Sequence, residues 1–174
     1  MMNIVLSYMI VLFKRKFMKT LVYFILLLTI NIKSAEFTFE SYGEMDMTNS
    51  VVSKNQEYKY FAYTNDGIII TNIDKVGISK CAGIINIVKN KMSDNVLCEN
   101  KIGEYYYYAK YQNSNMDPKS IILKFEIVDA TGPFIELLGQ ECTAAYYPIE
   151  DNKYLFKGKC NIPELNLKRM LDFK

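Results

Sequence analysis

The chain contains no histidine and no tryptophan among its 174 residues. Without an imidazole side chain it has no Ser-His-Asp or Cys-His catalytic arrangement and no histidine ligand for a metal ion. The sequence also lacks a glycine-rich loop of the kind that binds phosphate groups. These absences favour a protein that is not an enzyme, although they leave that question open, and we predict no cofactor and no metal site.

Basic residues are scarce outside the N-terminal region. The first 35 residues contain five lysines and arginines and no acidic residue, whereas residues 36–174 contain 16 basic and 19 acidic residues, a net charge of −3. Arg169 is the only arginine in this second part. A mildly acidic domain without a basic stripe argues against nucleic acid as a partner.

Residues 1–35 are typical of an N-terminal extension followed by an export signal. Met18-Lys19 precedes an apolar segment of 10 residues, Leu21 to Ile30, and the small residues Ser34 and Ala35 follow. Spanning a bilayer takes roughly 20 apolar residues, so we predict a cleaved signal peptide and no stable membrane span in the mature protein. Cleavage is expected after Ala35, with cleavage after Ser34 as the alternative.

The residues before Met18 allow two interpretations. They form a second short apolar stretch, Met1 to Phe13, which ends in Lys14-Arg15-Lys16. Either translation begins at Met18, which we favour, or a longer N-terminus stays in the inner membrane. In both cases we expect residues 36–174 to form one domain that is periplasmic or secreted.

All four cysteines lie in this domain. An even number of cysteines in an exported chain predicts disulfide bonds, and a zinc site is disfavoured because the chain has no Cys-x-x-Cys pair. Four cysteines allow three connectivities. The predicted pairs face each other across two hairpins: Cys81–Cys98 about a turn at Lys89-Asn90, and Cys142–Cys160 about a turn at Asp151.

Alternation of apolar and polar residues predicts strands along nearly the whole domain. In residues 120–128, for example, Leu123, Phe125 and Ile127 share one face, and Lys124 and Glu126 share the other. The expected strands are 37–42, 57–63, 68–73, 81–88, 96–102, 104–112, 120–128, 141–147 and 153–160, with a turn at 64–67 and a short helix or a final strand after 160.

This pattern predicts an all-β fold, a single antiparallel β-barrel of about eight strands. A lipocalin-like barrel and a β-sandwich are the alternatives. The lack of tryptophan weighs against a lipocalin, because that family usually carries a Gly-x-Trp signature near its first strand.

The segment between the strands 120–128 and 141–147 begins Asp129-Ala130-Thr131-Gly132-Pro133-Phe134 and ends at Gly139. It resembles the Gly-Thr-Gly-aromatic…Leu-x-Gly turn of the barrel shared by allene oxide cyclases and dirigent proteins, with Ala130 in place of the first glycine. Gly132 and Gly139 are expected at positive φ, where the chain crosses the barrel mouth. The resemblance implies an eight-stranded antiparallel barrel with an apolar interior. The chain is also similar to small exported proteins of unassigned function from marine bacteria.

Tyrosines are the most suggestive candidates for a binding surface. Tyr105, Tyr107 and Tyr111 share a face of one predicted strand, and Tyr146 shares a face with Cys142 on another. A ring that carries a hydroxyl suits a cavity for a small organic ligand, so these four are the candidate lining residues of such a cavity. The other interpretation, which we favour, is that they are ordinary residues of the core and the sheet surface.

The sequence thus leaves three functional hypotheses. The leading one is a non-enzymatic, disulfide-stabilised barrel that binds a small apolar or aromatic ligand or a protein partner. The alternatives are an isomerase or cyclase of the allene oxide cyclase type, which the resemblance implies, and a structural protein of the cell envelope.

Overall fold

The computed structural model describes residues 33–114, 116–117, 122–150 and 152–173. Met18, the apolar segment of the predicted signal peptide and the residues before it therefore lie outside the described residues. The same holds for Asp151, the expected centre of one hairpin turn. None of the helices within the described ranges is long and apolar enough to cross a membrane.

Eight antiparallel strands form a closed barrel in which sequence neighbours pair and the first strand pairs with the last. The strands are β1 (Ser34–Val52), β2 (Tyr58–Thr71), β3 (Val76–Val88), β4 (Lys91–Ile102), β5 (Tyr105–Tyr111), β6 (Ile122–Ala130), β7 (Glu141–Pro148) and β8 (Lys153–Pro163). A 3₁₀ helix (Gly132–Leu137) joins β6 to β7, and helix α1 (Glu164–Asp172) follows β8. The predicted eight-stranded antiparallel barrel is confirmed.

The turn predicted at residues 64–67 is wrong, because β2 runs through it without a break. Asn65 pairs with Met45 of β1 and with Cys81 of β3, so the two expected strands 57–63 and 68–73 are one. A Cβ atom at Gly67 would lie 2.5 Å from the Tyr42 carbonyl oxygen. The glycine that suggested a turn therefore allows two curved strands to approach closely.

Both predicted disulfides are confirmed. Cys81 lies opposite Cys98 and is bonded to it, and Cys142 is bonded to Cys160 in the same way. The β3–β4 hairpin turns at Lys89 and Asn90, both with positive φ, as two-residue hairpin turns often require. Two disulfides indicate an oxidising, extracellular or periplasmic environment.

One end of the barrel is covered by the 3₁₀ helix and α1. The two alternatives for the C-terminus both hold in part, since β8 extends to Pro163 and the helix begins at Glu164. Gly132 and Gly139 have φ of 57° and 70°, which confirms the positive φ expected on both sides of the crossing. Phe134 is buried, and Met170 of α1 is buried as well.

Three aromatic rings fill the interior at this end. Phe37 contacts Phe134 with ring centroids 6.3 Å apart, and Tyr107 contacts Phe134 at 5.2 Å. All three side chains are almost completely buried. The Tyr107 hydroxyl is buried with no hydrogen-bond partner in the described part of the chain, so it loses its hydration without compensation.

We expect the substitution Tyr107→Phe to raise the free energy of unfolding by about 1–3 kcal/mol, because it removes a buried, unsatisfied hydroxyl and keeps the ring. The matched control is Tyr154→Phe, which removes a hydroxyl 3.3 Å from Ser41 Oγ. This control should lower the free energy of unfolding by about 1 kcal/mol. Urea denaturation measures both. A destabilised Tyr107→Phe protein would contradict the prediction.

Candidate functional site

The interior of the barrel holds a cavity of about 330 Å³. All eight strands contribute to its wall, which includes Phe39, Ser41, Met45 and Met47 of β1, Phe61, Tyr63 and Asn65 of β2, Ser79, Cys81, Ile85 and Ile87 of β3, Met92, Asp94, Val96, Cys98 and Asn100 of β4, Tyr111 of β5, Leu123 of β6, Tyr146 of β7, and Tyr154 and Phe156 of β8. A volume of this size lies within the range of small-molecule sites, about 300–1,000 Å³.

The ring of Phe39 separates the cavity from the filled end of the barrel. It contacts Tyr107 on one side and Phe156 on another, with centroid distances of 6.4 and 6.3 Å. A Cβ atom at Gly158 would lie 2.2 Å from this ring, so Phe39 rests directly on the β8 backbone. From Phe39 the cavity extends toward the opposite end, where Met47 is about half exposed.

The wall is mainly apolar and aromatic. Tyr111 stacks on Phe125 with centroids 4.9 Å apart and meets Phe156 edge-on at 5.7 Å. Tyr146 stacks on Tyr154 at 6.4 Å and donates a hydrogen bond to the Met45 sulfur at 3.0 Å. These contacts fix the rings, so their faces form a rigid lining around the empty volume.

Asn65 is the least satisfied polar group in this wall. Its Nδ2 donates a hydrogen bond to the Tyr63 hydroxyl at 2.6 Å. Its Oδ1 is buried and has no partner among the residues that the structure describes, and the residue as a whole is only 9% exposed. An unpaired buried acceptor is costly and calls for a hydrogen-bond donor.

Asp94 is the charged residue of the wall and is only 8% exposed. The backbone N–H of Asn113 donates to Asp94 Oδ1 at 2.7 Å, and Asn113 Nδ2 donates to Oδ1 and Oδ2 at 3.1 and 3.2 Å. Asn113 is held in turn by the backbone of Lys124 on β6. The carboxylate is therefore fixed between β4 and the segment that follows β5.

Asp94 is a site residue that was not predicted, because the predicted strand begins only at Val96. The strand begins at Lys91. An even spacing from Val96 and Cys98 puts Asp94 on the inward face, so a longer strand prediction would have found it.

The four tyrosines named as candidate lining residues are divided by the structure. Tyr111 and Tyr146 lie in the cavity wall, whereas Tyr105 and Tyr107 lie at the filled end. Tyr105 packs edge-on against Phe173 at 5.1 Å. Contact of any of the four with a ligand stays a prediction.

The residues of the turn motif lie away from the cavity. Asp129 is exposed and its Oδ1 accepts a hydrogen bond from the backbone N–H of Ala130 at 2.8 Å. Phe134 packs at the filled end, and Gly132 lies under the ring of Tyr105. Of the two disulfides, Cys81–Cys98 lines the cavity, while Cys142 and Cys160 lie outside its lining.

An apolar patch lies on the outer face of β2 and β3. Ile68 pairs with Ile78, and Ile70 pairs with Val76. All four side chains are between 45% and 62% exposed. Exposed apolar patches mark protein contacts in many proteins, so a protein partner or a structural role stays a prediction.

No family model matches the chain, and comparisons with curated proteins and with solved structures found no match either. The resemblance to allene oxide cyclases and dirigent proteins therefore stays a prediction that rests on the 129–139 turn. The barrel has the strand number and antiparallel order which that resemblance implies.

Stability should fall at alkaline pH. Burial raises the pKa of Tyr63, Tyr107 and Tyr111 in the folded protein, whereas tyrosines of the unfolded chain lose their protons near pH ~10. Above about pH 10 the unfolded state therefore binds fewer protons than the folded state, and the free energy of unfolding declines as pH rises toward the raised pKa values.

Below about pH 9 these three groups should contribute no pH dependence, because they are protonated in both states. Urea denaturation at a series of pH values measures the effect, with Tyr111→Phe as a control that should have a shallower decline. A free energy of unfolding that stays constant from about pH 9 to 11 would be inconsistent with the three raised pKa values.

We expect a small reducing agent to cleave Cys81–Cys98 before Cys142–Cys160. The two bonds close segments of 17 and 18 residues, so their effects on chain entropy are nearly equal. They differ in access, because Cys81 and Cys98 line the cavity and are 8% and 6% exposed, whereas Cys142 and Cys160 lie outside its lining and are 3% and 1% exposed. Alkylation after brief dithiothreitol treatment, followed by peptide mapping, gives the order. The reverse order would show that the cavity does not admit the reagent.

Proposed function

We propose that this protein is a non-enzymatic binding protein that holds a small, mainly apolar or aromatic ligand inside its barrel. The observation that carries the proposal is the cavity of about 330 Å³, which is lined by aromatic rings, methionines and a few inward-facing polar groups. Sites for small organic molecules have this combination of an apolar wall and a few fixed polar groups.

The lining combines rigid and adaptable parts. Phe39, Tyr111 and Phe156 are held by ring contacts with one another or with their neighbours. Met45, Met47 and Met92 line the other end of the cavity, and methionine side chains adjust easily to the shape of a bound group. A ligand would therefore meet a fixed aromatic surface deep in the barrel and a more adaptable surface near the exposed Met47.

The proposed location of this function is the periplasm or the medium. Two disulfides in a chain of this size are typical of proteins exported from the cytoplasm. The export signal predicted in residues 1–35 agrees with that location.

A neutral apolar fluorophore, N-phenyl-1-naphthylamine, tests the proposal directly. We expect saturable binding with a rise in fluorescence, because the probe moves from water into an apolar cavity. The substitution Val96→Phe extends a cavity-lining side chain into the empty volume and should weaken binding by about tenfold or more.

The matched control is Leu97→Phe, because Leu97 follows Val96 on the same strand and is 47% exposed on the outer face. This variant should bind the fluorophore like the wild type. Thermal melts of both variants check that the barrel remains folded. If the wild type shows no saturable binding, or if Val96→Phe binds as tightly as Leu97→Phe, the cavity is not the binding site.

A further inference from the structure

We infer that the cavity selects a cationic amine, with the ammonium group against Asp94 and an apolar or aromatic body against the rest of the wall. This inference rests on the proposed function, because it requires the cavity to hold a small molecule. It adds the charge and the hydrogen-bonding class of the ligand.

The wall of the cavity carries a negative charge that no positive side chain of the described residues balances. Asp94 is its charged residue, and no lysine or arginine is among the described residues that line the cavity. The ion pairs formed within the described ranges involve Asp66, Glu40, Glu36 and Glu136, and none involves Asp94. A buried carboxylate without a counter-charge is unfavourable, and a cationic ligand would supply that charge. An anionic ligand would add repulsion.

The Asp94 carboxylate is held in an orientation that leaves one oxygen able to accept from a ligand. Asn113 donates two hydrogen bonds to Oδ1, at 2.7 and 3.1 Å, and only one, at 3.2 Å, to Oδ2. A carboxylate oxygen accepts about two hydrogen bonds, so Oδ2 has capacity left for a ligand donor. Because the backbone of Lys124 fixes Asn113, the Asp94 carboxylate is already positioned without a ligand.

Asn65 also lies in this wall, and its Nδ2 donates to the Tyr63 hydroxyl. Its Oδ1 is buried away from the cavity surface, so the acceptor that the wall offers to a ligand is the Asp94 carboxylate. An ammonium group carries only donors, which suits this carboxylate, whereas a carboxylate or phosphate ligand carries acceptors in excess.

The aromatic lining agrees with the same class of ligand. Tyr111 pairs with Val96, which lies two residues from Asp94 on the same face of β4, and all three side chains line the cavity. The face of an aromatic ring attracts a cation within about 6 Å of its centre. A cation bound at Asp94 would thus lie on the same side of the cavity as the Tyr111 ring.

Three indole compounds that differ only in the end group of a short side chain test this selectivity: tryptamine, its neutral alcohol analogue tryptophol, and indole-3-propionate. The protein contains no tryptophan, so indole fluorescence reports the ligand alone when indole is excited selectively. We expect tryptamine to bind about tenfold or more tightly than tryptophol, and indole-3-propionate to bind most weakly.

The variant Asp94→Asn should remove the preference for tryptamine over tryptophol. The matched control is Glu126→Gln, which removes the same charge from an exposed position on β6 and should leave the preference unchanged. The preference should also persist at high salt, because a buried pair is screened much less than a surface one.

The neutral fluorophore N-phenyl-1-naphthylamine separates the two possible failures. If it binds and tryptophol binds as tightly as tryptamine, or if Asp94→Asn keeps the preference, the inference about the amine is overturned and the proposed function stands. If neither the fluorophore nor any indole compound binds, both are overturned. The comparison of the three compounds on the wild type needs no variant, so a misfolded Asp94→Asn protein would not prevent the test.

Discussion

Closure of the sheet by the pairing of β1 with β8 is the constraint on which the rest of the structure depends. Residues 34–44 of β1 pair with β8, and most of the same strand pairs with β2. The closed sheet has no unpaired edge, so the inward faces of all eight strands enclose one interior. The closure requires Gly158, because the Phe39 ring occupies the position where a side chain would begin.

The interior is filled differently along the barrel axis. An eight-stranded barrel has a bore that side chains can fill, or that can hold one small ligand. At one end Phe37, Tyr107 and Phe134 fill the bore under the two helices. In the middle the inward positions include Ser41 and Ser79, whose small side chains leave volume empty. The same alternation of inward and outward side chains thus gives a barrel that is packed at one end and contains a cavity in the rest of its interior.

The sequence predicted those features that local alternation decides. The disulfide pairs follow from side-chain parity and a short hairpin loop, so Cys81 opposite Cys98 was accessible to prediction. Alternation does not report how far along the barrel axis a residue lies. Tyr107 and Tyr111 share one face of β5 but lie in different environments, and the sequence pattern could not predict this difference. The unbroken course of β2 depends on contacts with β1 and β3, which no local pattern reports.

Asp94 connects the fold to the proposed site. A buried carboxylate in a barrel wall is unfavourable by itself, so the neighbouring structure must hold it in place. Asn113 does so through hydrogen bonds to Asp94 and to the backbone of β6, and Met116 extends this contact by pairing with Met92. The Cys81–Cys98 bond, four residues after Asp94 on β4, fixes the register of this strand. The contacts that hold β4, β5 and β6 together therefore also fix the Asp94 carboxylate that faces the cavity. The filled end of the barrel adds rigidity, but its residues do not line the cavity.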